Sequence, residues 1–324
     1  MSGADGPDGV PGVSFTNLDQ PLFDGAGATK GDLVDYLDRV SDRIVPALAD
    51  RLLSVIRVHQ GQAPFMQKNL PRYAPDWIRT ARYWAGSSRR EVSYAVCDDR
   101  RTLLWFANQR AVEYHPSLGR AASPEVVTHL VLDLDPPEGS GFDAVVATAR
   151  LVRRALDDTG LEAAVKTSGA KGVHVFVPLA EGMDPHDAAA ATRALAARAE
   201  AVDPDVATTA FMKEDRGGRV FVDATRVGGA TVVAAYSPRA RPGLPVSFPV
   251  DWDDLDSVSP ADFNVRTAPD LLAGGDPWAE RMPGPQVVGA DLIEEGRAIP
   301  GGRLQAMQTG RRRAREGRRD LSGA

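Results

Sequence analysis

Residues 128–139 read THLVLDLDPPEG, an apolar run that ends in two aspartates and a proline pair. The run predicts a buried strand. Side chains alternate along a strand, so Val131, Asp133 and Asp135 share one face while Leu130, Leu132 and Leu134 share the other. The two carboxylates then stand side by side, roughly 7 Å apart at the backbone. Like charges that close raise one pKa unless a cation lies between them, so a pair kept ionised points to a divalent metal.

Working outward from this strand, the pattern alternates. A helix is expected over 142–158, with Phe142, Val145, Val146, Ala149, Val152 and Leu156 on one face. Short strands follow near 162–167 and 173–178, then an alanine-rich helix over 186–201, then strands near 219–223 and 230–235. Upstream, TKGDLVDYLDRVSDRIVPALADR carries Leu33, Tyr36, Leu37, Val40, Ile44 and Leu48 at helical spacing behind a Thr29 N-cap, and LLSVIRVHQ reads as a strand. The fold class is α/β or α+β, a sheet with helices packed on it.

At 324 residues the chain can bury a large core. It lacks eighteen consecutive apolar residues and a signal-peptide pattern, so a soluble, cytoplasmic protein with no membrane partner is expected. The lone Cys97 reads as a buried free thiol, and no Cys/His spacing fits a structural zinc site. The net charge of −6 argues against coating nucleic acid by bulk attraction but allows a local basic groove. Residues 1–14, rich in Gly, Asp and Pro, are expected to be disordered. Residues 306–324, with TGRRRAREGRRDLSGA from Thr309, give a basic tail that could graze phosphates.

Polar residues recur on the later strands. In GVHVFVPL, His174 points opposite Val173, Val175 and Val177; in RVFVD, Asp223 points opposite Val220 and Val222. A third carboxylate beside Asp133 and Asp135 would complete a site for two hard cations. TSGAKGVH places Ser168, Lys171 and His174 around two glycines, a loop suited to phosphate oxygens, although it fits neither the P-loop nor the dinucleotide fingerprint. Three carboxylates alone do not separate phosphoryl transfer from hydrolysis.

LVLDLDPPEG, KTSGAKGVHVFVPL, RGGRVFVDATR and AAYSPRARPGLPVSFPV, preceded by LFDGAGATKGDLVDYL, PFMQKNLP and LLWFANQRAVEYHP, resemble in order the motifs of the archaeo-eukaryotic primase superfamily. The resemblance is to its bacterial primase-polymerases, related to the polymerase domain of ATP-dependent DNA ligase D, and covers most of residues 15–305. It implies a primase-like core of mixed sheets packed with helices in two joined modules. These are an N-terminal module at about 15–127, an RRM-like metal-binding module at about 128–250 and a C-terminal extension at about 251–305. It also implies template-directed nucleotide addition in filling short gaps during DNA repair, with ribonucleotides favoured and two manganese or magnesium ions as cofactors. Asp133, Asp135 and Asp223 would hold the ions. Ser168, Lys171, His174, Arg216 and Arg239 would hold the nucleoside triphosphate. Lys30 would meet a 5′-phosphate, and Phe65 with Lys68 the template strand. Implied partners are gapped or broken duplex DNA, ribo- or deoxyribonucleoside triphosphates, and a separate ATP-dependent DNA ligase.

Two positions depart from the family. Gln20 stands where ligase-linked members carry a lysine, and Met66 replaces the second of two aromatics. With the sequence ending at Ala324, a stand-alone repair polymerase is expected. The residues do not choose between base-excision repair and end joining, and a non-catalytic DNA-end bridging module or a metal-dependent phosphohydrolase stand as alternatives.

Overall fold

The computed structural model describes residues 9–85, 89–227 and 231–301. In chain order, α1 (Lys30–Arg39) and α2 (Ser41–Leu48) lead to β1 (Leu53–Arg57), β2 (Phe65–Gln67), β3 (Thr80–Ala85), β4 (Arg90–Ala95), α3 (Arg100–Asn108) and β5 (Ala111–Pro116). There follow β6 (Val127–Asp135), α4 (Phe142–Asp157), β7 (Ala164–Thr167), β8 (Val173–Met183), α5 (Pro185–Val202), β9 (Ala207–Thr208), β10 (Val220–Asp223) and β11 (Pro249–Val250). Short helices α6 (Ala268–Leu271) and α7 (Pro277–Arg281) precede α8 (Ala290–Ala298).

The strand at 128–139 becomes β6, the centre of the second sheet, whose order is β11-β7-β8-β6-β10-β9. Elements β6-α4-β7-β8-α5-β10 form a β-α-β-β-α-β unit with β8 antiparallel between β6 and β7, and β10 antiparallel on the other edge of β6. This is the split-βαβ topology of ferredoxin-like and RRM folds. Leu130, Leu132 and Leu134 are fully buried on the face that α4 and α5 cover. The opposite face carries Asp133.

In the first sheet, β1 pairs with β5 along one edge, while β2 and β4 divide the other, β2 at Val55–Arg57 and β4 at Leu53. Glu113 pairs with Ile56 and His115 with Ser54, so by strand alternation Ser54, Ile56, Met66, Glu113 and His115 share one face. Tyr114 and Val112, on the other face, are fully buried beneath the helices. A cleft of about 630 Å³ is lined by Ser54, Met66 and Tyr83 of the first sheet, by Lys68 just past β2, by Pro185 and His186 at the start of α5, and by Arg226 from beyond β10. No helix among the described residues is long and apolar enough to cross a membrane.

Three expectations are corrected. The helix expected after Thr29 is two helices, because Val40 leaves helical geometry (φ −103°, ψ 8°) and Pro46 deprives α2 of one amide donor. No ladder strand forms over 231–235, residue 230 lying outside the described residues. Val232, Val233 and Ala234 are buried, but the backbone makes single bonds, Ala234 to Tyr114 and Tyr236 to Ser247, and turns at Tyr236 (φ 67°). Hydrophobicity there reports burial, not pairing. Within 1–14, Val10 is buried in the core; residues 1–8 and the basic tail lie outside the described residues. Cys97 is buried and free, and burial pushes its thiol pKa up.

Candidate active site

Strand register builds the site. Asp223 on β10 lies opposite Asp133 on β6, Asp133 opposite His174 on β8, and His174 opposite Lys166 on β7. Four strands thus present one row of acid, acid, imidazole and amine on a single face. The sequence pattern shows which face each residue takes; only pairing shows that they line up.

Arg226, three residues past Asp223, closes the acidic end. Its Nη2 sits 2.8 Å from Asp133 Oδ2 and 3.3 Å from Asp223 Oδ2. The backbone N–H of Thr225 donates to Asp223 Oδ1 at 2.8 Å. Asp135, one step along the same face, is half exposed and has Arg216 Nη1 3.5 Å away. Burial and then repulsion from Asp133 raise the Asp135 pKa. Burial also pushes Asp133 up, but His174 and Arg226 together outweigh it and hold that carboxyl well below the usual range.

At the other end Lys166 is fully buried. Its Nζ donates to Ser247 Oγ at 2.5 Å and lies 2.8 Å from His174 Nδ1. Ser247 Oγ gives its own proton to the Thr167 carbonyl, so it accepts from the lysine. With Lys166 donating to Nδ1, His174 carries its proton on Nε2, 3.3 Å from Asp133 Oδ1. Burial, then Lys166, lower the His174 pKa to about 4. The imidazole is therefore neutral at pH 7, and Asp133 owes its ionisation there to Arg226 and to the hydrogen bonds it accepts.

Loop 168–172 bends back on itself. Ser168 Oγ accepts from the N–H groups of Ala170 (3.2 Å) and Gly172 (3.1 Å), while Lys171 is exposed. Two glycines are required here. Gly169 has φ 67°, and a Cβ on it would meet Arg239 Cγ at 2.7 Å; a Cβ on Gly172 would lie 2.1 Å from the Leu134 carbonyl oxygen. Arg239 donates to the Ser168 carbonyl. Arg216 lies over the Phe221 ring at 3.8 Å, its Nε and Nη2 donating to the carbonyls of Ala210 and Phe211.

The DNA-facing expectations divide. Lys68 lines the cleft, together with Met66. Phe65 points to the other side of β2, stacked on His59 at 5.6 Å with Arg57 over its ring. Lys30 is the first residue of α1, behind the Thr29–Asp32 capping box, and its Nζ donates to the Thr16 carbonyl at 2.5 Å. Burial, then Arg110, lower its pKa to about 8. Arg110 also donates to Gln20 Oε1 at 3.4 Å, so a guanidinium stands beside the position where the lysine is replaced.

Reading the sequence did not single out Lys166, Arg226, Arg110, Glu113 or His115 as site residues. Lys166 carried one signal, as one of five lysines in an arginine-rich chain. Glu113 and His115 alternate onto one face of β5, but nothing local distinguishes them from solvated polar residues.

Oxygen donors of this kind suit hard divalent cations such as magnesium or manganese. Arg226, a cation held by two carboxylates, shows that the acidic end accepts positive charge. Among the described residues no three such side chains already converge at metal-ligand spacing, since Asp133 and Asp223 lean to Arg226 and Asp135 to Arg216.

The profile of the LigD primase-polymerase domain matches residues 29–278. The chain belongs to the LigD primase-polymerase family. It is thus a nucleotidyltransferase by class. The bifunctional non-homologous end joining protein LigD of Bacillus subtilis is 32% identical over 267 residues, covering 81% of this chain and 43% of that protein. The multifunctional non-homologous end joining DNA repair protein LigD of Mycobacterium tuberculosis H37Rv is 34% identical over 256 residues, covering 75% and 33%. This chain therefore spans less than half the length of these LigD relatives. The solved polymerase domain from Mycobacterium tuberculosis Ligase D in complex with DNA superposes with a TM-score of 0.77 at 33% identity, covering 83% of this chain and 97% of that one.

Proposed function

We propose that this LigD-family chain extends primer 3′ ends at short gaps or breaks in duplex DNA, joining nucleoside monophosphates from triphosphates in template order. One observation carries the reading: Asp133 and Asp223 face each other in register on the same sheet face as Asp135, beside a glycine-bent loop and two arginines. Asp133, Asp135 and Asp223 would hold two manganese or magnesium ions, which when bound supply Lewis-acid activation of the 3′-hydroxyl and neutralise the departing pyrophosphate.

The chain's own residues do the rest. Lys171 and Arg216 offer cations to the charge that grows on the triphosphate in the transition state, and Arg239 binds the triphosphate as it docks. Ser168 shapes the loop that presents Lys171. The Lys166–His174 pair fixes the Asp133 carboxylate from the side opposite Arg226. Met66 and Lys68 face the template across the cleft, and Lys30 with Arg110 forms the cationic pocket for a 5′-phosphate. The relatives' names support a role in end joining; in this reading ribonucleotides are favoured and a separate ATP-dependent ligase seals the product.

A labelled primer on a gapped duplex, given manganese and each triphosphate in turn, tests this. Templated extension that disappears in Asp133→Ala supports it. Shortened DNA would indicate a phosphohydrolase, and tight binding without extension a bridging module.

A further inference from the structure

Arg239 reaches the nucleotide loop from a segment that has no strand of its own, so something must hold it. Its Nε lies 3.1 Å from Oε2 of Glu113, on β5 of the first sheet, and its Nη1 donates to the Ser168 carbonyl. The other oxygen of Glu113, Oε1, accepts the backbone N–H of Ala240 at 2.9 Å. One carboxylate thus holds both the side chain of Arg239 and the backbone just after it. Glu113 is only 7% exposed, and no other acidic side chain forms an ion pair with Arg239 among the described residues. The Arg239 Nε proton is not aligned for a hydrogen bond, so charge and the Ala240 contact do most of the holding. Glu113 Oε2 also meets His115 Nε2 at 2.8 Å.

We propose that Glu113 is a positioning residue for the incoming nucleotide: it fixes Arg239 against loop 168–172, so that the triphosphate pocket on the second sheet is complete only when the first sheet is seated on it. This rests on the reading of Arg239 as a triphosphate contact. The physical basis is that a guanidinium on an irregular segment has many rotamers, and a buried counter-charge selects one before substrate arrives. Glu113 is engaged with Arg239, Ala240 and His115 and lies outside the acidic row, so its removal acts on nucleotide binding and spares DNA binding.

The test uses the full chain, a gapped primer–template, manganese and varied nucleoside triphosphate, with DNA affinity followed by fluorescence anisotropy and folding by thermal melting. Glu113→Gln is expected to raise KM for the triphosphate about tenfold or more, the effect of losing one well-placed interaction, with kcat and DNA affinity little changed. In an Arg239→Ala background the same substitution is expected to add nothing. Glu113→Asp, which keeps the charge but shortens its reach, is expected to raise KM by a smaller factor and decides the matter if the glutamine variant does not fold. An unchanged KM in a folded variant, or additive effects in the double variant, overturns the proposal. So does a collapse of kcat at unchanged KM, which would route the effect through His115. If Arg239→Ala alone leaves KM unchanged, the reading of Arg239 is what fails.

Discussion

Asp223 is the register partner of Asp133 across an antiparallel pair, and the two carboxylates meet the same guanidinium, that of Arg226. Opposed acids in adjacent strands repel, so this pairing persists only with a positive group between them. In the protein alone that group is Arg226. The same geometry is what the proposed chemistry would use.

Replacing Asp223 or Asp133 with Asn is expected to lower primer extension at least about 100-fold, because an amide neither carries the charge nor binds a hard cation. Both variants should remain folded, since each also removes a repulsion. Extension rates and melting curves recorded on the same preparations check this; wild-type rates from either variant would remove these residues from the site.

Arg226→Gln should destabilise the metal-free protein by about 1 kcal/mol, a modest figure because the guanidinium is partly exposed. Manganese should then stabilise this variant more than wild type. At a concentration about 100 times its Kd, a cation that binds only the folded state contributes about 2.7 kcal/mol. Thermal melts with and without manganese measure it, and Asp133→Asn should abolish the manganese effect.

Gly169→Ala meets two obstacles at once: φ of 67° disfavours any Cβ, and the added methyl would press on Arg239 and on the Ser247 backbone. The expected outcome is a several-fold higher KM for the triphosphate, with gapped-DNA affinity unchanged. A variant with unaltered nucleotide kinetics would show that loop 168–172 does not meet the substrate.

Met66 lines the cleft whereas Phe65 stacks on His59 behind the strand. Met66→Phe should therefore tighten template binding, toward the roughly 1–3 kcal/mol that base stacking on an aromatic ring provides. Phe65→Ala should weaken it less than Met66→Ala does. Anisotropy titrations of gapped DNA against the three variants compare them directly.

His129 lines a second cavity, of about 240 Å³, with Arg51 and Arg120. Burial, followed by those two arginines, lowers its pKa to about 3. The unfolded chain, with an ordinary histidine near 6.5, binds the proton first. The stability His129 permits is thus complete above pH 6.5 and is lost as pH falls toward 3, at up to about 1.4 kcal/mol per pH unit. His129→Gln should flatten the acid limb of a stability profile between those values, measured by urea unfolding at each pH.

Much of this was legible beforehand. The period-two alternation at Leu130–Asp135 and Val173–Val177, and the helical spacing from Phe142 to Leu156, located the central strands and a covering helix, because burial on one face imposes those periods wherever the element sits. The three aspartates and the glycine-bent loop were visible as residue types. The break at Val40, the unpaired stretch at 231–235 and the side taken by Phe65 were not, since each depends on which neighbour the backbone meets.

The sequence by itself determined the apolar faces of the central strands and of the helices that cover them, and which acids, lysines and arginines are on hand for chemistry, because these follow from local covalent geometry and hydrophobicity. Only the tertiary structure decided that Asp223 faces Asp133, that Lys166 stands behind His174, and that Glu113 reaches Arg239 from the other sheet. Lys166 and His174 are only 8 residues apart and still depend on strand register to meet, while Glu113 also holds the backbone of Ala240, 127 residues along the chain; nothing in a local pattern specifies such partners.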